Sequence, residues 1–453
     1  MAAVTLQPWT NGQTFQIVLT FDNNSTYTAT QNSGDDKMLE SIEIQENSAL
    51  TDGNPVGIMT PNYASFRIFD RTGALLTTNT GSSYYGYMRN GVKVNIYMSE
   101  DLGITWVAFG EYYTESWYSE KSEGGFALVN LSCTDKLSYI GQKEMPALPA
   151  YAGVDVTVLL AGILQGIGLS ISDFIIDPSL QLSMLYAVAK GDRVREALNT
   201  IAQSLLARIY VNRAGVIEVR PAIPTKTIAY VMDDSTIETV TVKHNKIAQY
   251  NKIKLLYNKV DDRPSETLLM LNNANIKTGV NALTGLTLSK SVLGIDAVHI
   301  STAATAESNL EKITSIDYLA YQGGIDITIV SALVDDFLAN IEVTGRCTGV
   351  TDAYVESTIA GTDAKVANTL TLESYVIQED AAARTYVASV ASYLRSMRQE
   401  VEITGTLSQL LTVQQYITIT SDDANIAGDY LITGFNLSDG AAYSTTVTAV
   451  RVV

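Results

Sequence analysis

Over the first 147 residues, apolar and polar side chains alternate with a period of two, in runs broken at short intervals by turn residues. Val92-Lys93-Val94-Asn95-Ile96-Tyr97-Met98 and Val129-Asn130-Leu131-Ser132-Cys133 are the plainest of these runs. Successive side chains of an extended strand point to opposite faces, so each run carries one apolar face that must be covered. Asp52-Gly53-Asn54-Pro55, Asp70-Arg71-Thr72-Gly73 and Gly124-Gly125 provide the punctuation. Short alternating strands with frequent turns predict a β-barrel or sandwich over residues 1–147.

Pro146 and Pro149 mark a change of pattern. From Asp155 to Arg220 the chain reads as helix, short strand, helix and β-hairpin, an α+β insertion over 148–225. Val156 to Ser172 is uncharged and lies at the lower length limit for crossing a membrane. With Asp155 as N-cap and Val158, Leu159, Gly162 and Ile163 along one face, it is read as a buried core helix. In the second helix Asp192 is the expected cap, and Ala197, Leu198, Ile201, Ala202, Leu205 and Leu206 form the apolar stripe. Tyr210 to Val219 reads as two strands around an Asn-to-Gly turn.

Strands return over 226–378, with Thr236 to Val242 the clearest alternation and a short helix expected around Ala306 to Ile313. A third long helix, about Glu379 to Met397, aligns Ala383, Tyr386, Val387, Val390, Ala391 and Leu394. It opens a C-terminal β-unit over 379–453. The expected class is mainly β with an α+β insertion in a multi-domain chain. At 453 residues and 46% hydrophobic content, the length is ample for several cores.

Chemistry is mostly excluded. With 48 acidic against 30 basic residues the formal charge is −18, and no run of Lys and Arg makes a phosphate-binding patch. Cys133 and Cys347 have no second Cys or His at metal-ligand spacing and are read as buried thiols. His244 and His299 are accompanied by no nucleophile elbow, and there is no Walker loop or GxGxxG sequence. Paired acids such as Asp233-Asp234 and Asp422-Asp423 would point to opposite strand faces. The stretch Ser421 to Asp429 lacks the terminal bidentate Glu of a calcium loop and is read as a solvated hairpin loop. No catalytic residue, metal ligand or cofactor site is therefore assigned. Met1 to Thr5 lacks the parts of a secretory signal, so the chain is expected to fold in the cytoplasm, with no stable membrane insertion.

Tyrosine is abundant, with 25 residues. Tyr84, Tyr85 and Tyr87 form one cluster, and Tyr112, Tyr113, Trp117 and Tyr118 a second. Such side chains supply stiff contact area with a polar tip, which suits subunit or partner interfaces, or else sugar binding. A glycan- or receptor-binding protein is thus one competing reading. A cell-wall hydrolase is a weaker one, since no converging carboxylates are legible.

Several segments, taken in order, resemble a known family. They are Ala64 to Asp70, Tyr84 to Ile96, Trp106 to Glu111, Leu128 to Leu137, the helix from Asp192 into Ala207–Ile217, Ile247 to Leu255, and the helix from Ala382 followed by Val401–Gly405, Tyr416–Ile419 and Gly428–Ile432. This order is similar to long-tailed bacteriophage tail hub or baseplate hub proteins, which are related to the hub part of type VI secretion spikes. The resemblance implies two tube-like β-barrel domains (1–147 and 226–378), the helix-containing domain and the C-terminal β-unit. It further implies a non-enzymatic homotrimer joining a hexameric tail tube to a threefold spike or fibre at the tail tip of the virion. Implied partners are the tail tube or distal tail protein, the tape measure protein and the central spike or tail fibre, with phage DNA only in transit.

Overall fold

A computed structural model describes residues 4–5, 14–31, 36–48, 56–121, 126–146, 148, 152–186, 192–244, 250–290, 292–302, 313–321, 324–332, 336–359, 368–405, 411–439 and 443–452. The turns expected at Asp52–Pro55 and Gly124–Gly125 lie outside these residues, as does most of the expected helix at 306–313. Its last position, Ile313, opens the strand Ile313–Tyr321.

Seven strands of the N-terminal part close into a barrel. They are Thr14–Thr20, Thr26–Thr30, Lys37–Asn47, Tyr63–Asp70, Lys93–Ser99, Val107–Lys121 and Ala127–Asp135. Closure comes from Lys37–Asn47, which pairs with both Thr26–Thr30 and Tyr63–Asp70. The alternation read from sequence is the burial pattern: Val94, Ile96 and Met98 point inward, as do Val129, Leu131 and Cys133. Filling this interior with Phe15, Ile17, Leu19, Phe66 and Ile68 contributes about 1.5–3 kcal/mol per side chain.

The C-terminal strands extend the same sheet. Ile426–Asp439 pairs with Lys37–Asn47 over five residues, Gly434↔Asn47 to Ser438↔Glu43. Tyr416–Ser421, Tyr443–Val452 and Met397–Gly405 follow, together with Ile228–Met232 and Thr239–His244 from the middle of the sequence. Barrel and C-terminal strands share one continuous hydrophobic core. Hydrogen bonding therefore crosses the segment limit at 378.

Among the described residues four α-helices accompany the strands. Helix α1 is Lys136–Gly141, α2 Val156–Gly166, α3 Val194–Leu205 and α4 Asp380–Ser396. Asp155 caps α2 as expected, accepting from Thr157 N at 2.9 Å. The buried face of α2 is Val156, Leu159, Leu160, Ile163 and Leu164, while Val158 turns outward. For α3 the expected cap Asp192 is corrected to Arg193: a β-bridge between Glu144 and Arg193 holds that residue extended, and the Glu196 carboxylate reaches back to Asp192 N. The hairpin Ala207–Val211 and Ile217–Pro221 turns at Asn212, whose Oδ1 accepts from Ala214 N and Val216 N, and at Gly215 with φ 78°.

Between Thr239–His244 and α4 lies a long inserted ladder. Lys252–Ile276 (25 residues) runs antiparallel to Phe337–Thr358 (22 residues), and three register shifts absorb the extra residues. At ~3.3 Å per residue the ladder is roughly 80 Å long. Each bulge adds local bend and twist. The distal half packs against the three-stranded sheet Gly279–Thr287, Gly324–Ser331 and Ile313–Tyr321 around Leu268, Ile327, Ile341 and Cys347. Both cysteines are buried as expected, Cys133 in the barrel and Cys347 in this insert.

Candidate assembly surfaces

The seven aromatic residues singled out in the sequence separate into four environments. Tyr84 turns inward from the long connection between Asp70 and Val92, packs on Phe21 at 4.8 Å and Tyr27 at 5.7 Å, and donates to Thr26 O at 2.9 Å. Trp117 joins it against the barrel core at 6.3 Å from Phe21. Tyr112 is buried, and burial together with Glu46 and Asp135 pushes its hydroxyl well above the usual range. Tyr113 is half-buried, donates to Glu111 at 2.8 Å and stacks on Tyr139. Tyr85, Tyr87 and Tyr118 remain outward, at 47%, 36% and 60% exposure. The structure thus brings Tyr84 and Trp117 together as packing and leaves three tyrosines on the surface.

A second feature was not singled out in the sequence. Arg213, on the hairpin turn, reaches Glu46 of the barrel, donates to Leu411 O at 2.8 Å, and lies 4.0 Å over Phe109 and 4.9 Å over Phe435. One guanidinium therefore ties the hairpin, the barrel and the C-terminal strands together. Glu46 was detectable, because it occupies the inward phase of Ile42, Ile44 and Glu46 in an alternating strand. A carboxylate in that phase requires a buried partner.

The third feature is a face. Eight consecutive antiparallel strands run from Thr239–His244 through Met397–Gly405, Tyr443–Val452, Ile426–Asp439, Lys37–Asn47, Tyr63–Asp70 and Ala127–Asp135 to Val107–Lys121. One cross-strand row on this sheet reads Thr239, Thr404, Thr446, Asn436, Gln45, Tyr63, Thr134 and Tyr113. Its neighbour reads Ser438, Glu43, Ser65, Ser132 and Ser116. These rows carry hydroxyls, amides and a carboxylate, with no aliphatic side chain. The cations beside them are neutralised, Arg67 by Glu40 at 3.1 Å and Lys243 by Glu402 at 2.5 Å.

Among the described residues no group of three or more His, Cys, Asp or Glu is placed to hold a metal ion, and no helix is long and apolar enough to cross a membrane. His299 sits in a strand opposite Glu342.

No family model matches the chain, and no curated protein matches its sequence. Its fold does have solved counterparts. The chain is similar to a tail protein from Neisseria meningitidis MC58, with a TM-score of 0.51 and 10% identity over 96% of both chains. It is similar also to the 43 kDa tail protein of prophage MuSo2 from Shewanella oneidensis, with a TM-score of 0.50 and 11% identity over 96% of this chain and 98% of that one. The chain therefore has the fold of phage tail proteins, as its ordered motifs led one to expect. The likeness runs along nearly its whole length.

Proposed function

We propose that this chain is a structural, non-enzymatic hub subunit of a phage tail tip or baseplate, or of a related injection machine. It acts as a homotrimeric ring between a hexameric tail tube and a threefold central spike or fibre. The observation that carries this reading is the continuous eight-strand face. Three copies set side by side around a common axis would supply roughly 24 strands, and at ~4.8 Å per strand a circumference of ~115 Å and a diameter of at least ~37 Å. That leaves a lumen for duplex DNA. A wall of hydroxyls, amides and carboxylates, with its cations already paired, gives a sliding polyanion nothing to bind.

Around the ring, the tail tube or distal tail protein and the tape measure protein meet one side, and the spike or fibre the other. The protein is made in the host cytoplasm and resides at the tail tip of the virion. The four segments 1–147, 148–225, 226–378 and 379–453 are proposed as its units, with Tyr84, Tyr85, Tyr87, Tyr112, Tyr113, Trp117 and Tyr118 marking an assembly patch.

The native mass by light scattering tests the reading. A species near three times 49.0 kDa is expected. Ser65→Lys and Ser132→Lys should leave that mass intact and slow DNA ejection, and unchanged ejection would remove the lumen assignment. The three outward tyrosines favour a second reading, glycan or receptor binding. In that case Tyr85→Ala with Tyr118→Ala would abolish cell attachment while assembly proceeds.

A further inference from the structure

The loop 100–106 between the barrel strands Lys93–Ser99 and Val107–Lys121 is held by its own hydrogen bonds. Asp101 Oδ1 accepts from Ser99 Oγ at 2.6 Å, Ile104 N at 3.1 Å and Thr105 N at 2.7 Å, and Ser99 Oγ accepts from Gly103 N at 2.8 Å. Within this network Leu102 takes φ 58°, a left-handed conformation that is costly for a leucine. The same network holds aliphatic side chains in water: Leu102 is 76%, Ile104 84% and Val107 57% exposed. A strained, pre-ordered loop that presents apolar side chains gains nothing in the isolated chain.

A concave counterpart lies on the helix-bearing unit. No residue from Val156 to Gly166 is charged, and a helix free of charge on every side is ordinarily covered on every side. One side of α2 is not: Val158 is 43% exposed and, with Ala161, Ile176 and Leu180, lines an open groove of about 730 Å³. Asp155 and Asp177 also stand in its wall, and both are held by their own chain. Asp155 accepts from Thr157 N and Leu182 N, and Asp177 from Ser179 N, at 2.9 Å each. Covering the groove with an apolar partner therefore strands no unsatisfied carboxylate.

We propose that the tip carrying Leu102 and Ile104 on one copy seats in the α2 groove of a second copy. This contact presupposes the trimeric ring proposed above. Because the two surfaces differ and lie on different parts of the chain, the contact is head-to-tail, the kind that closes a ring. At roughly 100 Å² per fully exposed aliphatic side chain, the tip would bury about 200 Å² and the groove a similar area. Together they make about a quarter of the ~1,600 Å² of a standard interface, so the tip is its apolar anchor and the surrounding surface supplies the remainder. A lipid surface fits less well, since residues 100–107 carry two carboxylates and no cation in a chain of net charge −18.

Light scattering of full-length variants tests this. Leu102→Asp with Ile104→Asp removes the tip and keeps the groove, whereas Ala161→Trp fills the groove and keeps the tip. Each should raise the dissociation constant of the trimer at least ~30-fold. Mixed one to one, the two should form pairs and no ring, because a single intact tip and a single intact groove are left to meet. If the wild type is a trimer and either variant assembles as well, or if the mixture does not pair, the contact is refuted and the ring reading stands. A wild type that stays monomeric removes both. Flotation of the wild type, but not of the tip variant, with phosphatidylcholine vesicles while that variant still assembles would assign the tip to a membrane instead. Should a variant fail to fold, p-benzoylphenylalanine in place of Ile104 decides. Irradiating a mixture of chains labelled with light and heavy nitrogen should cross-link position 104 to residues 156–166 or 176–181 of another chain, and a cross-link elsewhere, or none, overturns the proposal.

Discussion

Replacing Arg213 by methionine is expected to destabilise the joined barrel and C-terminal sheet by about 3–5 kcal/mol, the usual loss when one partner of a buried ion pair is removed. The side chains of Arg213 and Glu46 are 16% and 5% exposed, so water screens the pair poorly. Methionine keeps much of the apolar stem against Phe109 and Phe435 and fills the gap flexibly. What it cannot replace is the charge facing Glu46 and the hydrogen bond to Leu411 O. If the stranded carboxylate dominates, adding Glu46→Gln should recover at least ~2 kcal/mol, because a neutral amide is far less costly to bury than an unpaired charge. Urea unfolding of the four proteins of this cycle, followed by tryptophan fluorescence, reads the relevant unit, since Trp9, Trp106 and Trp117 all lie in the first 147 residues. A double variant no more stable than Arg213→Met would refute the reasoning and assign the loss to packing instead.

Other substitutions separate the regions. At Gly345 an added Cβ would lie 2.4 Å from Gly294 O and 2.8 Å from Leu268 Cδ1, so Gly345→Val should cost about 1–3 kcal/mol, seen as lost hydrogen-exchange protection in the insert but not in the barrel. Tyr84→Ala should lower stability by about 2–4 kcal/mol through lost contacts with Phe21 and Tyr27, whereas Tyr85→Ala should stay within ~0.5 kcal/mol. Equal effects in urea unfolding would contradict the inward and outward assignment of these neighbours.

The strands were legible because a two-residue period is a local property, and Val94, Ile96 and Met98 carry it without help from the rest of the chain. The apolar faces of α3 and α4 were legible for the same reason. The start of α3 was misread because a bridge to Glu144, about fifty residues earlier, fixes Arg193 and leaves Asp192 without the capping geometry. The inward and outward split of the tyrosines was hidden as well. Tyr84, Tyr85 and Tyr87 lie in an irregular connection, where no period says which side chain turns toward Phe21.

Sheet partnership was the least legible property, for a physical reason. An alternating strand states which of its faces is buried, but its edge groups can pair with any strand presenting the matching face. Thr239–His244 pairs with Met397–Gly405 across a long insert that builds its own core around Leu268 and Ile341. The intervening sequence therefore carries no sign of that pairing. The exception is a residue that violates its own pattern. Glu46, inward among isoleucines, has to be matched by a cation from elsewhere, and the cation that meets it belongs to a hairpin 167 positions away. A pattern violation of this kind is a long-range constraint written in local sequence, and here it marks the point where three parts of the chain are held together.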